Sequence, residues 1–336
     1  MQLKERMTKK QAVFQETQPT EFRVGNLRSA EDRTVAAHFI KLGYAVGLYN
    51  RGVCALIGKG DSDGSTGTNA FFERVIAIKG KDGTGQDRRD QPLAAWFPTE
   101  QLVDRFLDRT KISSHVAPLF QDAQTLAEQT GSLMFLRVPL REDAISGSHP
   151  ALPKFMYSVD TVSHIPYIMN WDPHGHRVTE VFLQDILATG VQIPAITSLN
   201  AHGIPEIVDQ HQGEEFSREH FQDGLAMFLH DPNDTGIAKG SYIAYLVGPE
   251  GIQLIREGNI PHKIAGLIFG GDVDTHQYQK PKYPQSQWDQ LEVELRTTHL
   301  SGSEIRKKVL DFLSPERQGT NYRDKEKRRG KIRFKQ

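Results

Sequence analysis

Apolar positions along the chain alternate between helical and strand spacing. After Ser29-Ala30-Glu31-Asp32, which has the make-up of a capping box, Val35, Ala36, Phe39, Ile40 and Leu42 recur at helical spacing until Gly43 ends the run. Short apolar runs at 44–49 and 53–57 predict two strands, and GKGDSDGSTG at 58–67 predicts a mobile loop. Phe71, Val75 and Ile78 predict a second helix, stopped by Lys79-Gly80-Lys81-Asp82-Gly83, and Leu93 to Phe97 predicts a strand. Helices are expected over 100–109 and 118–130, then a strand over 133–139, a loop over 141–156 and a strand over 159–169. A helix over 179–188 leads into a strand from Ile193, which feeds the turn Thr197-Ser198-Leu199-Asn200. A helix over 219–229 follows, then strands at 241–247 and 252–255 joined by Gly248-Pro249-Glu250-Gly251. HQYQKPKYPQSQW at 276–288 breaks regular structure, and Ser301 caps a last helix over 305–313. Helices and strands are mixed without strict alternation, which predicts an α/β or α+β fold with a mixed twisted sheet.

Composition narrows the function classes only a little. With 336 residues, 38% hydrophobic, 25% charged and a net charge of −1, the chain is an ordinary globular one, and nothing global points to nucleic acid or membrane. Cys54 alone excludes an internal disulfide. With no apolar segment at the start and no apolar run near 18 residues, a cytoplasmic location is expected.

Several familiar chemistries lack their residues. No Gly-Lys pair precedes Ser or Thr as in a P-loop, and CxxC and HExxH are missing. Gly60-Asp61-Ser62-Asp63-Gly64 matches the nucleophile-elbow pattern, but two flanking aspartates would oppose formation of an alkoxide. Asp172, His174 and His176 have no fixed ligand spacing and read as a solvated turn, so no metal site is assigned. The basic tail, with Arg317, Arg323, Lys325, Lys327, Arg328, Arg329, Lys331, Arg333 and Lys335, offers phosphate-backbone contacts or a solvated end.

Three features end apolar runs with donors suited to phosphate. They are Lys79 and Lys81, with Arg88 and Arg89 close behind; the Thr197-Ser198-Leu199-Asn200 turn; and Ile255-Arg256-Glu257-Gly258. Arg137 stands near the end of the strand LMFLRVP, where open α/β sheets place ligand-binding groups. Taken in order, AIKGK, QPLAAWF, LRVP, PAITSLNAHGIP and LIREG resemble the motifs of the YrdC-type threonylcarbamoyl-adenylate synthase family over about residues 38–260.

That resemblance implies a twisted open mixed sheet with flanking helices around a cationic cavity. It also implies a nucleotidyltransferase in which an amino acid and bicarbonate form a carbamate that attacks the α-phosphorus of ATP, with Mg2+ expected beside the ATP and tRNA modification as the destination. Lys79 and Lys81 would hold the triphosphate, Ser198 and Asn200 would bond the nucleotide phosphates, and Arg137 and Arg256 would neutralise charge at the α-phosphate; Lys79, Lys81 and Arg256 would carry catalysis. The threonine pocket of the family departs here, since YNRGVCALIG at 49–58 stands where the family has PT-x-T-x-YGLG. Asn50 and Arg51 are candidates for a rebuilt amino-acid pocket, so threonine itself stays open. Organisation is expected as an N-terminal arm (1–28), a catalytic domain (29–260), a C-terminal extension (261–313) and a basic tail (314–336). The alternative is a non-catalytic RNA-binding module using the cavity and the basic residues of 317–335.

Overall fold

The computed structural model describes residues 19–50, 53–61, 69–80, 85, 88, 89, 91–112, 133–146, 152–172, 176–204, 206–234, 242–248, 251–256, 286–298, 300, 301, 304, 305, 307 and 308. Their centre is an eleven-stranded mixed sheet: β1 (Arg23–Asn26), β2 (Ala45–Asn50), β3 (Val53–Lys59), β4 (Ala94–Trp96), β5 (Leu133–Pro139), β6 (Tyr157–Val159), β7 (Pro166–Asp172), β8 (Pro194–Ser198), β9 (Leu225–His230), β10 (Tyr242–Gly248) and β11 (Gly251–Arg256). Spatial order is β1-β9-β2-β3-β8-β4-β7-β5-β10-β11, with β6 paired to β7. Parallel pairs (β1 with β9, β9 with β2, β4 with β7, β5 with β10) mingle with antiparallel ones. The expected mixed α/β architecture is therefore what the chain adopts.

Side-chain alternation divides the core into two layers. Val46 and Leu48 of β2, Val53, Ala55 and Ile57 of β3 and Trp96 of β4 pack with α1 (Ala30–Lys41) and α5 (Arg177–Ala188). Tyr49, Cys54, Leu56, Ala95 and Phe97 face the opposite layer, which holds α2 (Ala70–Lys79), α3 (Thr99–Arg105) and Phe216 of α6 (Gln210–Glu219). The short helix α4 (Glu142–Ser146) and α7 (Ser286–Thr297) complete the described helices, and Leu291, Leu295 and Ile305 join the α2-side core. Ser29 caps α1 by accepting from the Asp32 N–H at 3.2 Å, while the Asp32 carboxylate accepts from the Asn26 N–H at 2.8 Å.

Several expectations are corrected. The apolar run near 225–229 is a strand, because Leu225, Ala226, Met227, Phe228 and Leu229 are all buried between β1 and β2; the helix is instead the polar segment 210–219. The single strand expected over 159–169 is a hairpin of β6 and β7, folded back where Asp160 accepts from the N–H groups of Val162 and Ser163. The loop expected over 141–156 contains α4 and a 3-10 turn at Lys154–Met156, and α3 stops at Arg105. The stretch read as breaking structure at 276–288 runs into α7. The helix expected over 118–130 and the tail 314–336 lie outside the described residues, as do most of 58–67 and of 305–313. Within the residue 1–28 arm, β1 is an edge strand on β9.

Candidate functional site

A cavity of ≈ 440 Å³ lies against the middle of the sheet, on the side of α5. Its floor is apolar, from Val53, Ala55, Phe135, Met169, Trp171 and Ile196. Its polar lining consists of Asn50 from β2, Arg88 and Gln91 from the segment before β4, Arg137 from β5, Ser158 from β6, and Thr197 and Ser198 from β8. Two guanidinium groups and three hydroxyls thus face a space whose described lining holds no carboxylate. Such a wall favours an anion over a cation or a neutral ligand.

Arg88 is the deepest of these cations, with 6% of its surface exposed. Its Nη1 donates to Thr197 Oγ1 at 2.6 Å and its Nη2 to the Pro92 carbonyl at 3.2 Å, while Nε has no partner among the described residues. Burial lowers its pKa to about 10, so it keeps its charge at neutral pH. Arg137 lies over the Tyr167 ring, 5.0 Å from the centroid, and donates from Nη2 to Ser158 Oγ at 3.1 Å. Among the described residues the hydrogen-bond acceptors of both guanidiniums are neutral, and Asp160, which does not line the cavity, is the carboxylate that feels the Arg137 charge.

Lys79 ends α2 and reaches the turn after β8. Its Nζ donates to the Ser198 carbonyl (2.5 Å), the Asn200 carbonyl (3.0 Å) and Asn200 Oδ1 (3.1 Å), with Ser198 Oγ more distant at 3.4 Å. Three close acceptors match the three protons of an ammonium. Burial, with the Arg88 charge adding to it, pushes the ammonium well below the ordinary lysine range, and Glu206 pulls the other way. The Asn200 amide N–H groups donate to the Ala201 carbonyl (2.9 Å) and the Ile204 carbonyl (2.6 Å). Lys79 and Asn200 are therefore spent on the turn, and what that turn presents to the cavity is Ser198 and Thr197.

The sequence-derived site is thus partly assembled. Lys79 meets Ser198 and Asn200 although it precedes both by more than a hundred residues, and Arg137, Ser198 and Asn50 line the cavity. Lys81 and Arg51 lie outside the described residues. Arg256 ends the edge strand β11, five strands from β8 in the sheet order, and its side chain is outside the description. Arg88 and Thr197 were not singled out as site residues; the signal for Arg88 was its place among the cations after α2. Thr179 was missed altogether, because it is a polar position inside an otherwise apolar helix face. Among the described residues no group of three His, Cys, Asp or Glu side chains could hold a metal, and no helix is long and apolar enough to cross a membrane.

No protein-family model and no curated protein matches the chain. Solved structures do. The chain is similar to P. abyssi Sua5 complexed with L-threonine, at 18% identity and a TM-score of 0.48, over 79% of this chain and 68% of that one. It is similar to a hypothetical protein from Streptococcus mutans UA159, at 10% identity and a TM-score of 0.48, over 79% and 99% of the two chains. T. kodakarensis HypF is a third, at 16% identity and a TM-score of 0.41, over 68% of this chain and 24% of that one. Each is a distant likeness, with 18% or fewer of the aligned residues identical.

Proposed function

We propose that the chain is an ATP-dependent nucleotidyltransferase that forms a carbamoyl-adenylate from an amino acid, bicarbonate and ATP, with release of pyrophosphate. One observation carries this reading: Arg88 and Arg137 face one cavity with no carboxylate in its described lining. A triphosphate brings the charge that such a wall lacks. The ordered motifs from AIKGK to LIREG supply the choice of reaction, and Lys79, expected to hold the triphosphate, bonds the Ser198–Asn200 turn instead.

In the proposed step a carbamate oxygen bonds to the α-phosphorus while the bridging oxygen to the β-phosphorus leaves with pyrophosphate. Neither oxygen needs a strong base; the demand is for positioning and for positive charge near the phosphorus. Arg88 and Arg137 supply that charge, and the Thr197 and Ser198 hydroxyls orient phosphate oxygens. Lys79 keeps the turn in place from behind. Magnesium enters as part of the Mg–ATP substrate; the described lining offers it no carboxylate, so no protein ligand is assigned. Asn50 and the apolar floor are left for the acceptor, with threonine the first candidate and its identity open.

Equilibrium titration with Mg–ATP tests the phosphate half. Arg88→Met removes charge-assisted hydrogen bonds of about 1.5–3 kcal/mol each, and its affinity is expected to fall by about a hundredfold. Equal affinity in wild type and Arg88→Met would remove Arg88 from the site.

A further inference from the structure

Asn50 is only 1% exposed, lines the cavity, and has an amide that is half satisfied. Its Oδ1 accepts from Thr179 Oγ1 at 3.3 Å, whereas its Nδ2 has no partner among the described residues. A buried amide N–H2 without an acceptor is costly, and a ligand oxygen in the adjoining cavity would relieve it.

The orientation of that amide is set from the N-terminus of α5. Thr179 is fully buried in the first turn of α5, and its one hydroxyl proton goes to Asn50. Its oxygen then has only lone pairs to offer, and these meet His176 Nδ1. Nδ1 must carry a proton for that contact to be a hydrogen bond. The other nitrogen of the ring, Nε2, lies 3.9 Å from the Asp231 carboxylate. Asp231 is itself 2% exposed, gripped by Arg28 through Nε at 2.7 Å and Nη2 at 3.0 Å and by the Asn233 N–H at 2.9 Å. The chain of groups runs from Arg28 at the surface through Asp231, His176 and Thr179 to Asn50, with Arg28 donating to Asp231 and the Thr179 hydroxyl donating to Asn50.

We propose that Thr179 and His176 are positioning residues that hold the Asn50 carboxamide with its N–H2 towards the cavity, making this wall a receptor for the carboxylate of the acceptor amino acid. The identification of the ligand as the acceptor rests on the function proposed above; the orientation of the amide does not. Were the amide reversed, Oδ1 would face the cavity and repel a carboxylate; a protonated His176 Nδ1 leaves the Thr179 hydroxyl proton for Asn50 Oδ1 and so favours the orientation observed.

The side-chain amide proton pair of Asn50, assigned as the pair lost in Asn50→Asp, is followed by NMR while each amino acid, and then its carboxamide, is added. At least one amino acid is expected to move the pair and to bind about tenfold tighter than its carboxamide. Thr179→Val should weaken that binding about tenfold, Thr179→Ser should restore it, and Mg–ATP affinity should stay unchanged in both. Thr179→Ala replaces Thr179→Val if the latter does not fold. The proposal is overturned if no amino acid moves the pair, if acid and carboxamide bind alike, or if loss of the hydroxyl changes nothing. Carboxylate binding without pyrophosphate release under any condition would instead remove the nucleotidyl-transfer reading and leave this one standing.

Discussion

Lys79 and Arg88 are both buried cations, yet their surroundings assign them different work. Around Lys79 the three close oxygens belong to the protein, so removing the amine strands two carbonyls and an amide oxygen. Lys79→Met is expected to lower stability by about 3 kcal/mol, read as a shift in urea midpoint at constant slope. Among the described residues Arg88 has two neutral acceptors for its charge, and the desolvation cost that it already bears offsets what they give. Arg88→Met should therefore stay within about 1 kcal/mol of wild type while losing ATP affinity, a separation that denaturation and titration together would reveal. Asp231 makes the corresponding prediction for pH. Burial pushes its carboxyl up, but the hydrogen bonds from Arg28 and the Asn233 N–H, with the charges of Arg28 and His176, outweigh that and hold it below the ordinary carboxylate range. Its folded-state value lies under the unfolded one, so its contribution is present above the ordinary range and is lost as pH falls through the folded value. Acid titration of Asp231→Asn should show a shallower loss of stability in that window than wild type.

At the scale of elements, α2 and the β8 turn form one unit. Asn69 caps α2 through the Phe72 N–H at 2.7 Å, and Phe71 then lies where any side chain on Gly58 of β3 would stand. Gly58→Ala must displace the Phe71 ring and with it the helix that carries Lys79. A loss of about 1–3 kcal/mol is expected, measured by thermal or urea unfolding, with the ATP titration weakened in step. Most of these elements were legible because their apolar spacing was unambiguous: Ser29 to Gly43, Phe71 to Gly80 and Leu133 to Pro139 each carried a period and a stop. The run around 225–229 misled because a continuous apolar stretch reads alike as buried helix or central strand; only its burial between β1 and β2 decides it. The β6–β7 turn was hidden since its signal is a single aspartate accepting local N–H groups, with no glycine to mark it. The site was legible where a charge stood at the end of an element, as with Lys79 and Arg137. It was hidden at Thr179 and His176, whose meaning lies in their approach to Asn50 of β2 and to Asp231 just after β9, made across the fold.

The whole molecule brings the phosphate-type donors to one side of a broad mixed sheet and keeps carboxylates out of the described wall of its cavity. It also puts α7 residues Leu291 and Leu295 into the same core as α2, so the segment beyond the motif-bearing region contributes to the body that holds Lys79. On the proposed function, this cavity joins an ATP-derived adenylate to a carbamate. The most direct test is pyrophosphate release from Mg–ATP and bicarbonate, run with each amino acid in turn and with none, for wild type and Arg88→Met. Release that needs bicarbonate and one particular amino acid, and that drops at least a hundredfold in Arg88→Met, is the predicted result. No release with any amino acid while Mg–ATP still binds, or release that persists undiminished in Arg88→Met, would contradict it.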